Sequence, residues 1–511
     1  MNLPAFKRHL NPVLMILLAL AGLYAITLVY ATGETLLAGM MLVTLAAFIW
    51  IYTSPKTYAY RYLFPGIGAA LIFVVFPMLY TIRIGFTNYS SKNLLTFQRA
   101  TQYLMEETYR GEGATYQFSL YPEGDKVQVR LEDSESGAIF QTAAFALQAE
   151  GHPLKLDAIP APAAVSPIAE PLGIKELILH QEFLKGLTVV MPDKTYVRMT
   201  GLREFAPARP LYVRNADGSL TNNENQSILR ANFKTGYYES AEGEPITPGF
   251  QADIGWRNYV EIFTDASLRE PFWRIFIWTL VFSALTVVFC TSLGLVLAVL
   301  LNWDSLRFRS VYRLLLFLPY AIPGFISILV FKGLFNNNTG EINLVLGTLF
   351  GLKPTWFSDP FLAKTMILIV NTWLGFPYMM VISMGLIKAI PQDLYEASAV
   401  AGAGPLTNFF RITMPLVLKP LTPLLISSFA FNFNNFVLIS LLTGGLPDFL
   451  NTSVPAGTTD ILVSYTYRMA FQDSGQKFGL GAAISTVVFL MVAVISIIQI
   501  RATKIAQDDK R

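Results

Sequence analysis

Eight apolar runs constrain this chain more than any other feature: Val13–Tyr30, Leu36–Tyr52, Leu63–Ile84, Phe272–Leu301, Val311–Phe331, Thr365–Ile387, Leu421–Leu442 and Leu480–Ile500. A bilayer-crossing helix needs about 20 mostly apolar residues, so the pattern predicts an all-α polytopic protein with eight spans. The second run is the shortest. The first, flanked by Lys7 and Arg8, also has the look of a signal peptide, but a second run follows almost at once. Charged residues make up only 14% of the chain, against about 25% in an ordinary globular domain. The net charge of +3 and the lack of a basic stripe interleaved with aromatics argue against nucleic acid.

The short loops set the orientation. With the N-terminus inside, the cytoplasmic segments carry fourteen Lys and Arg: Lys7, Arg8, Lys56, Arg61, Arg307, Arg309, Arg313, Lys388, Arg411, Lys419, Arg501, Lys504, Lys510 and Arg511. The short outer loops carry four, Lys332, Lys353, Arg468 and Lys477. The excess of positive charge inside predicts that both termini are cytoplasmic. Residues 90–255 then form an outer insert of 166 residues, between helices in 1–89 and a core in 256–511. "KVQVRL" followed by "EDSESG" predicts a β-hairpin in it. "APAAVSP" and "SAEGEPITPG" read as loops. No cysteine lies there, so packing alone must hold this β-rich domain. As a cap or as a docking surface, it reads equally well.

Catalytic equipment is sparse. No G-x-x-x-x-G-K-[ST], H-E-x-x-H or C-x-x-C motif occurs. The lone cysteine, Cys290, has no disulfide or metal-ligand companion, and the three histidines (His9, His152, His180) lie outside the spans. Apart from residues near the ends, such as Arg83, Arg274 and Lys364, the spans contain no Asp, Glu, Lys or Arg, leaving no mid-membrane proton relay. The sequence therefore predicts no enzyme, no cofactor and no metal. Prolines 77, 319, 323, 377 and 423 are candidate kink points.

Neutral polar residues do recur at helical spacing. Asn371, Gly375 and Tyr378 fall at i, i+4 and i+7, as do Ser428, Asn432 and Asn435, with Phe431 beside them. Amides mixed with flat aromatic faces suit a sugar, whose rim is hydroxylated and whose faces are C–H. The same amides also suit interhelical hydrogen bonding, and spacing alone leaves both readings open.

Between the sixth and seventh spans lies "IPQDLYEASAVAGAGPLTNFFRITMP", within the 33-residue segment Lys388–Pro420. It reads as two short helices and a turn. Pro391 starts the first, Gly402 and Gly404 break it, and Pro405 restarts the chain. Leu406, Phe409 and Phe410 share one face of the second helix, and Ala397, Ser398, Ala401 and Gly402 are small enough for close approach. A helix lying flat on lipid would favour several lysines. Only Arg411 is present, so docking is the better reading.

Glu396-Ala397-Ser398, Gly402, Ile412 and Pro415 resemble the "EAA" loop of binding-protein-dependent ABC importer permeases. The chain departs from that pattern at Ser398, Ala401 and Met414. "GWRNYVEIF", "LPYAIPGFISILVFKGLFN", "NTWLGFPYMM" and "FAFNFNNFVLI", with the large insert after the third span, are similar to the maltose/maltodextrin branch of that family. The resemblance implies a type I importer permease core. It also implies a sugar site at Asn371, Leu374, Gly375, Tyr378, Ser428, Phe431, Asn432 and Asn435. Docking of an ATPase is implied at Glu396, Ala397, Ser398, Ala401, Gly402 and Ala403. The implied partners are a second permease, two copies of an ATPase that carries the ATP and Mg, and a periplasmic maltose-binding protein. The implied location is a Gram-negative inner membrane. An ion-coupled sugar transporter accounts for the polar faces but not for the EAA-like loop. A membrane sensor accounts for the insert but lacks a sizeable inner domain.

Overall fold

The computed structural model describes residues 3–508 except 112, 125, 148–153, 162–169, 304, 451, 453 and 473–475, with side chains from 13 to 501 apart from 110, 182 and 500. The loop reading of 162–167, and the side chains of Lys7, Arg8, His9, His152, Lys504, Lys510 and Arg511, lie outside this description. The chain divides into two compact units, Met1–Ser91 with Asp253–Arg511, and Lys92–Ala252.

The first unit is helical. Helices α1 (Leu3–Ala31), α2 (Thr35–Thr53) and α3 (Tyr60–Ile84) precede the insert. Helix α4 (Ala266–Asn302) follows it and starts where the Asp265 side chain accepts the Ser267 amide at 2.9 Å. Next come α5 (Arg309–Ala321), α6 (Gly324–Leu334) and α7 (Pro360–Lys388), the last capped by the Asp359 carboxylate. Helices α8 (Gln392–Val400), α9 (Pro405–Phe433), α10 (Phe436–Leu442) and α11 (Phe478–Asp508) follow, and shorter helices at Arg257–Thr264, Glu341–Phe350 and Leu462–Tyr467 also belong to this unit. Seven described helices are long and apolar enough to cross a bilayer, and α5 with α6 forms a further, bent pair.

Two runs expected as single spans are broken. The fifth, Val311–Phe331, turns by 92° between α5 and α6. Pro323 lacks an amide hydrogen to continue the ladder, and Gly324 opens the next helix. The seventh, expected over Leu421–Leu442, stops at Phe433, because the Asn435 side chain caps α10. Its helix begins far earlier, at Pro405, so the expected second short helix is the foot of the span itself. Two π-turns, Leu71–Val75 and Phe409–Thr413, each sit two residues before a proline, Pro77 and Pro415. The widened turn relieves the clash between a proline ring and the carbonyl four residues back. Pro319, Pro377 and Pro423 lie inside helices, as does Pro420.

Close packing joins α4 to α7. A Cβ on Gly294 would stand 2.7 Å from the Met380 amide nitrogen, and one on Gly375 would stand 2.7 Å from Cys290 Sγ. Small residues at such crossings let helix backbones approach where lipid supplies no hydrophobic drive between helices.

The second unit holds two antiparallel-rich sheets. Strands β1 (Thr108–Arg110), β2 (Tyr116–Glu123), β3 (Lys126–Asp133), β4 (Ile139–Thr142), β5 (Leu154–Pro160), β6 (Leu187–Val190), β7 (Tyr196–Gly201) and β8 (Glu204–Pro210) form one sheet, in which β7 pairs with β8 to close β2–β8 into a barrel. The expected hairpin is β3–β4, and β3 pairs with β2 on its other edge. Val127, Val129 and Leu131 alternate inward, as a period of two requires. Leu177, Phe183 and Leu184, from helices between β5 and β6, fill the barrel. A second sheet, β9 (Tyr212–Arg214) through β13 (Pro245–Ile246), packs with helix Phe97–Glu106 around Tyr238 and Phe250. Strand β13 lies within the segment expected as the loop "SAEGEPITPG", where it pairs with Tyr237–Glu239.

Candidate functional site

All eight residues expected to bind sugar line one cavity of about 590 Å³ in the helical unit. Helix α7 contributes Asn371, Leu374, Gly375 and Tyr378, and α9 contributes Ser428, Phe431 and Asn432. Asn435 enters from the break that follows α9.

The amides form a chain across two helices. Asn371 Nδ2 donates to Asn432 Oδ1 at 2.8 Å and to Thr286 Oγ1 at 3.1 Å, tying α7 to α9 and to α4. Asn432 Nδ2 donates to the Ser428 carbonyl at 2.8 Å. Asn435 Nδ2 reaches Asn371 Oδ1 at 3.4 Å, while its own Oδ1 accepts the Leu438 amide. Asn371 and Asn432 are each only 5% exposed, so an unmade bond there costs about 1–3 kcal/mol. The interhelical ties are therefore real. An amide carries four hydrogen-bonding positions, and these bonds do not use all of them at Asn371, Asn432 or Asn435.

Aromatic surface surrounds this polar seam. Phe431 is 70% exposed, and the Tyr378 ring lies against Tyr320 at 6.2 Å between centroids with 16° between planes. Gly375 has a structural reason for its size, since the volume of a side chain there is occupied by Cys290. The cavity thus offers amides and hydroxyls along one wall and flat apolar faces on others.

Sequence reasoning missed several lining residues: Thr286 and Cys290 of α4, Tyr320 and Phe325 of the α5–α6 break, and Ser427 of α9. A signal existed. Interrupted spans mark binding sites near mid-membrane, and Pro319, Pro323 and Gly324 announce the interruption.

The loop expected to dock an ATPase folds as α8 followed by a left-handed Gly402 (φ +76°). Pro391 stands one residue before the helix, as its cap. Glu396, Ala397, Ala401 and Gly402 are exposed, and Ala403 is half-buried. Ser398 instead turns inward and hydrogen-bonds the Asn408 side chain. Leu406 and Phe410 face outward, whereas Phe409 packs beside Val417 and Leu421, so the expected shared face is split. Val400, 91% exposed, is the apolar group that sequence reasoning passed over.

Comparison with known proteins gives the class. Residues 271–505 match the family described as "Binding-protein-dependent transport system inner membrane component", and residues 95–255 match the "Maltose transport system permease protein MalF P2 domain". The chain is 51% identical over 502 residues to the maltose/maltodextrin transport system permease protein MalF of Salmonella typhi, covering 96% of each. It is 50% identical to the Escherichia coli K12 protein of that name, again over 96% of each, and 51% identical to that of Vibrio parahaemolyticus over 95% and 93%. A solved bacterial ABC transporter involved in import of the acidic polysaccharide alginate is 21% identical with a TM-score of 0.43, covering 49% of this chain and 84% of that one. The chain belongs to the MalF family of permeases and is the inner-membrane permease component of a binding-protein-dependent ABC importer.

Proposed function

We propose that this permease carries maltose or maltodextrins, and that the cavity between α4, the α5–α6 break, α7 and α9 is its sugar site. The convergence of all eight residues on one cavity is the observation that carries the reading. Its volume, about 590 Å³, falls within the roughly 300–1,000 Å³ of small-molecule pockets. Asn371, Asn432, Asn435 and Ser428 meet sugar hydroxyls, and Tyr378 and Phe431 meet the C–H faces. Leu374 and Gly375 shape the floor. The named cargo of the relatives supports the substrate class.

The permease works with a second, MalG-like permease, two copies of a MalK-like ATPase and a periplasmic maltose-binding protein. ATP and Mg sit on the ATPase, and this chain holds no nucleotide. Both termini lie in the cytoplasm and residues 90–255 in the periplasm, as the fourteen-to-four bias of Lys and Arg supports. The exposed apolar tip at Val400 and Leu406, beside Glu396, Ala397, Ala401 and Gly402, is the surface that an ATPase cleft would cover. ATP binding closes the ATPase pair, tilts the permease pair outward and admits sugar. Hydrolysis resets it. The driving force is the differential affinity of each partner for the two states.

Asn432→Ala in the reconstituted transporter is expected to lower maltose uptake about tenfold, the scale of one to two buried hydrogen bonds, with all subunits still co-purifying. Full uptake would remove the site assignment. Loss of assembly would make Asn432 an interhelical tie and nothing more.

A further inference from the structure

The foot of α9 is tied to α8 by side chains as well as by the connecting turn. The Tyr395 hydroxyl and Thr413 Oγ1 lie 2.9 Å apart, and Ser398 Oγ donates to Asn408 Oδ1. The Ala403 amide donates to the Ser398 carbonyl at 3.0 Å, closing the turn behind Gly402. Tyr395 and Ser398 are spaced i, i+3 and so share one face of α8. Both are half-buried, while Glu396, Ala397 and Val400 are exposed. Thr413 is buried and ends the π-turn Phe409–Thr413. Without that extra residue in the turn, the hydroxyl would lie about 100° away around the helix. Pro415 gives the π-turn its steric cause, and the tie at Thr413 gives it a use.

From this geometry we infer that Tyr395, Asn408 and Thr413 are positioning residues that clamp the docking helix α8 rigidly to α9, so that displacement of α8 moves Ser428, Phe431 and Asn432. The inference rests on the docking reading above and deepens it. It reassigns Ser398 from a partner contact to the inner side of the clamp. Thr413 and Asn432 are 19 positions apart in α9, roughly 28 Å of helix at 1.5 Å per residue. Val417, Leu421 and Leu424 hold that length of α9 against Leu295 of α4 and Leu386 of α7. A loose α8 would rock on the Gly402 turn and dissipate the motion before it reached the cavity.

The test uses the complete transporter in proteoliposomes, with maltose and binding protein present, comparing wild type with Tyr395→Phe, Thr413→Val, Asn408→Leu and Thr413→Ser. Two quantities are read: ATPase co-purified per permease, and maltose imported per ATP hydrolysed. The clamp predicts unchanged co-purification in all four. Sugar imported per ATP falls about fivefold in each of the first three, the scale of one lost hydrogen bond. Thr413→Ser, which keeps the hydroxyl, stays near wild type. Tyr395→Phe combined with Thr413→Val should do no more harm than either alone, because the two share one bond. An unchanged ratio in the three disrupting variants overturns the clamp, as does an equal loss in Thr413→Ser. Loss of the ATPase from those variants also overturns it, by making the residues part of the contact. A wild-type complex that never retains an ATPase would instead defeat the docking reading itself.

Discussion

The insert and the helical unit solve opposite problems. In the insert, water drives folding. Val129, Leu131, Leu187, Val189, Val197 and Phe205 are fully buried in the barrel, and each such side chain contributes about 1.5–3 kcal/mol. In the helical unit large apolar side chains such as Leu314 (68% exposed), Phe361 and Ile498 point outward, where lipid is their solvent. Burying them gains little, so the interior relies on close approach at Gly294 and Gly375, amide ties at Asn371 and Asn432, and buried charge. Apolar side chains therefore build a core in the insert, and in the helical unit both buried clusters, such as that of Phe282, Met366 and Ile367, and an outward coat.

The largest expected effect probes that buried charge. Arg468 spans two carboxylates, with Nη1 2.7 Å from Asp460 and Nη2 2.7 Å from Asp448, and Asp460 is wholly buried. Arg468→Met should cost about 3–5 kcal/mol, because it leaves Asp460 uncompensated. The thermal midpoint in detergent should drop accordingly, and Asp460→Asn on that background should recover part of it. An Arg468→Met protein as stable as wild type would contradict a polar interior.

Apolar truncation sharpens the contrast directly. Leu187→Ala in the barrel should cost about 2–5 kcal/mol, whereas Leu314→Ala on α5 should stay within about 0.5 kcal/mol. Equal losses, read by denaturant unfolding in the same detergent, would break the comparison. Overpacking comes next. Gly294→Val puts a side chain against the Met380 backbone and should cost about 1–3 kcal/mol, seen as a lower melting point and disturbed sugar transport.

The smallest effect belongs to the turns of the insert. Hydrogen bonds from the Glu135 and Ser136 amides hold the Asp133 carboxyl below the ordinary range, and the Thr195 amide and hydroxyl do the same for Asp193. The Ser219 hydroxyl and amide do so for Asp217. A depressed folded value means stability that is present above the ordinary carboxylate value of about 3.9 and is lost as pH falls through the folded one. Amide protection at Ser136, Thr195 and Ser219 should therefore weaken between about pH 5 and pH 2, with the α4–α7 amides unchanged. Protection that rises on acidification would refute the assignment.

Much of this was legible beforehand, for local reasons. Apolar run length marked the spans, because the bilayer imposes it, and i, i+4, i+7 spacing placed Asn371, Gly375 and Tyr378 on one face. Gly402 and Pro405 marked the turn that separates α8 from α9. The break at Pro323 was written in the sequence as a proline, but its size was not, since the bend depends on what packs beside it. Helix ends misled at the seventh span because Asn435, read as a sugar ligand, is also a cap.

The sequence by itself determined where the apolar membrane runs lie, which face of α7 carries the amide and tyrosine, and which family the motifs resemble, because periodicity and composition are properties of neighbouring residues. Tertiary structure alone decided that Thr286, Tyr320, Asn371 and Asn432 meet at one cavity, that Arg468 finds Asp448 and Asp460, and that β8 pairs with β2 as well as with β7. It also decided that Ser398 looks inward at Asn408 while Val400 looks out. Each of these is a choice of partner that helical or strand periodicity does not fix. Packing makes that choice by excluding the alternatives that would leave a buried group unpaired or a backbone in collision.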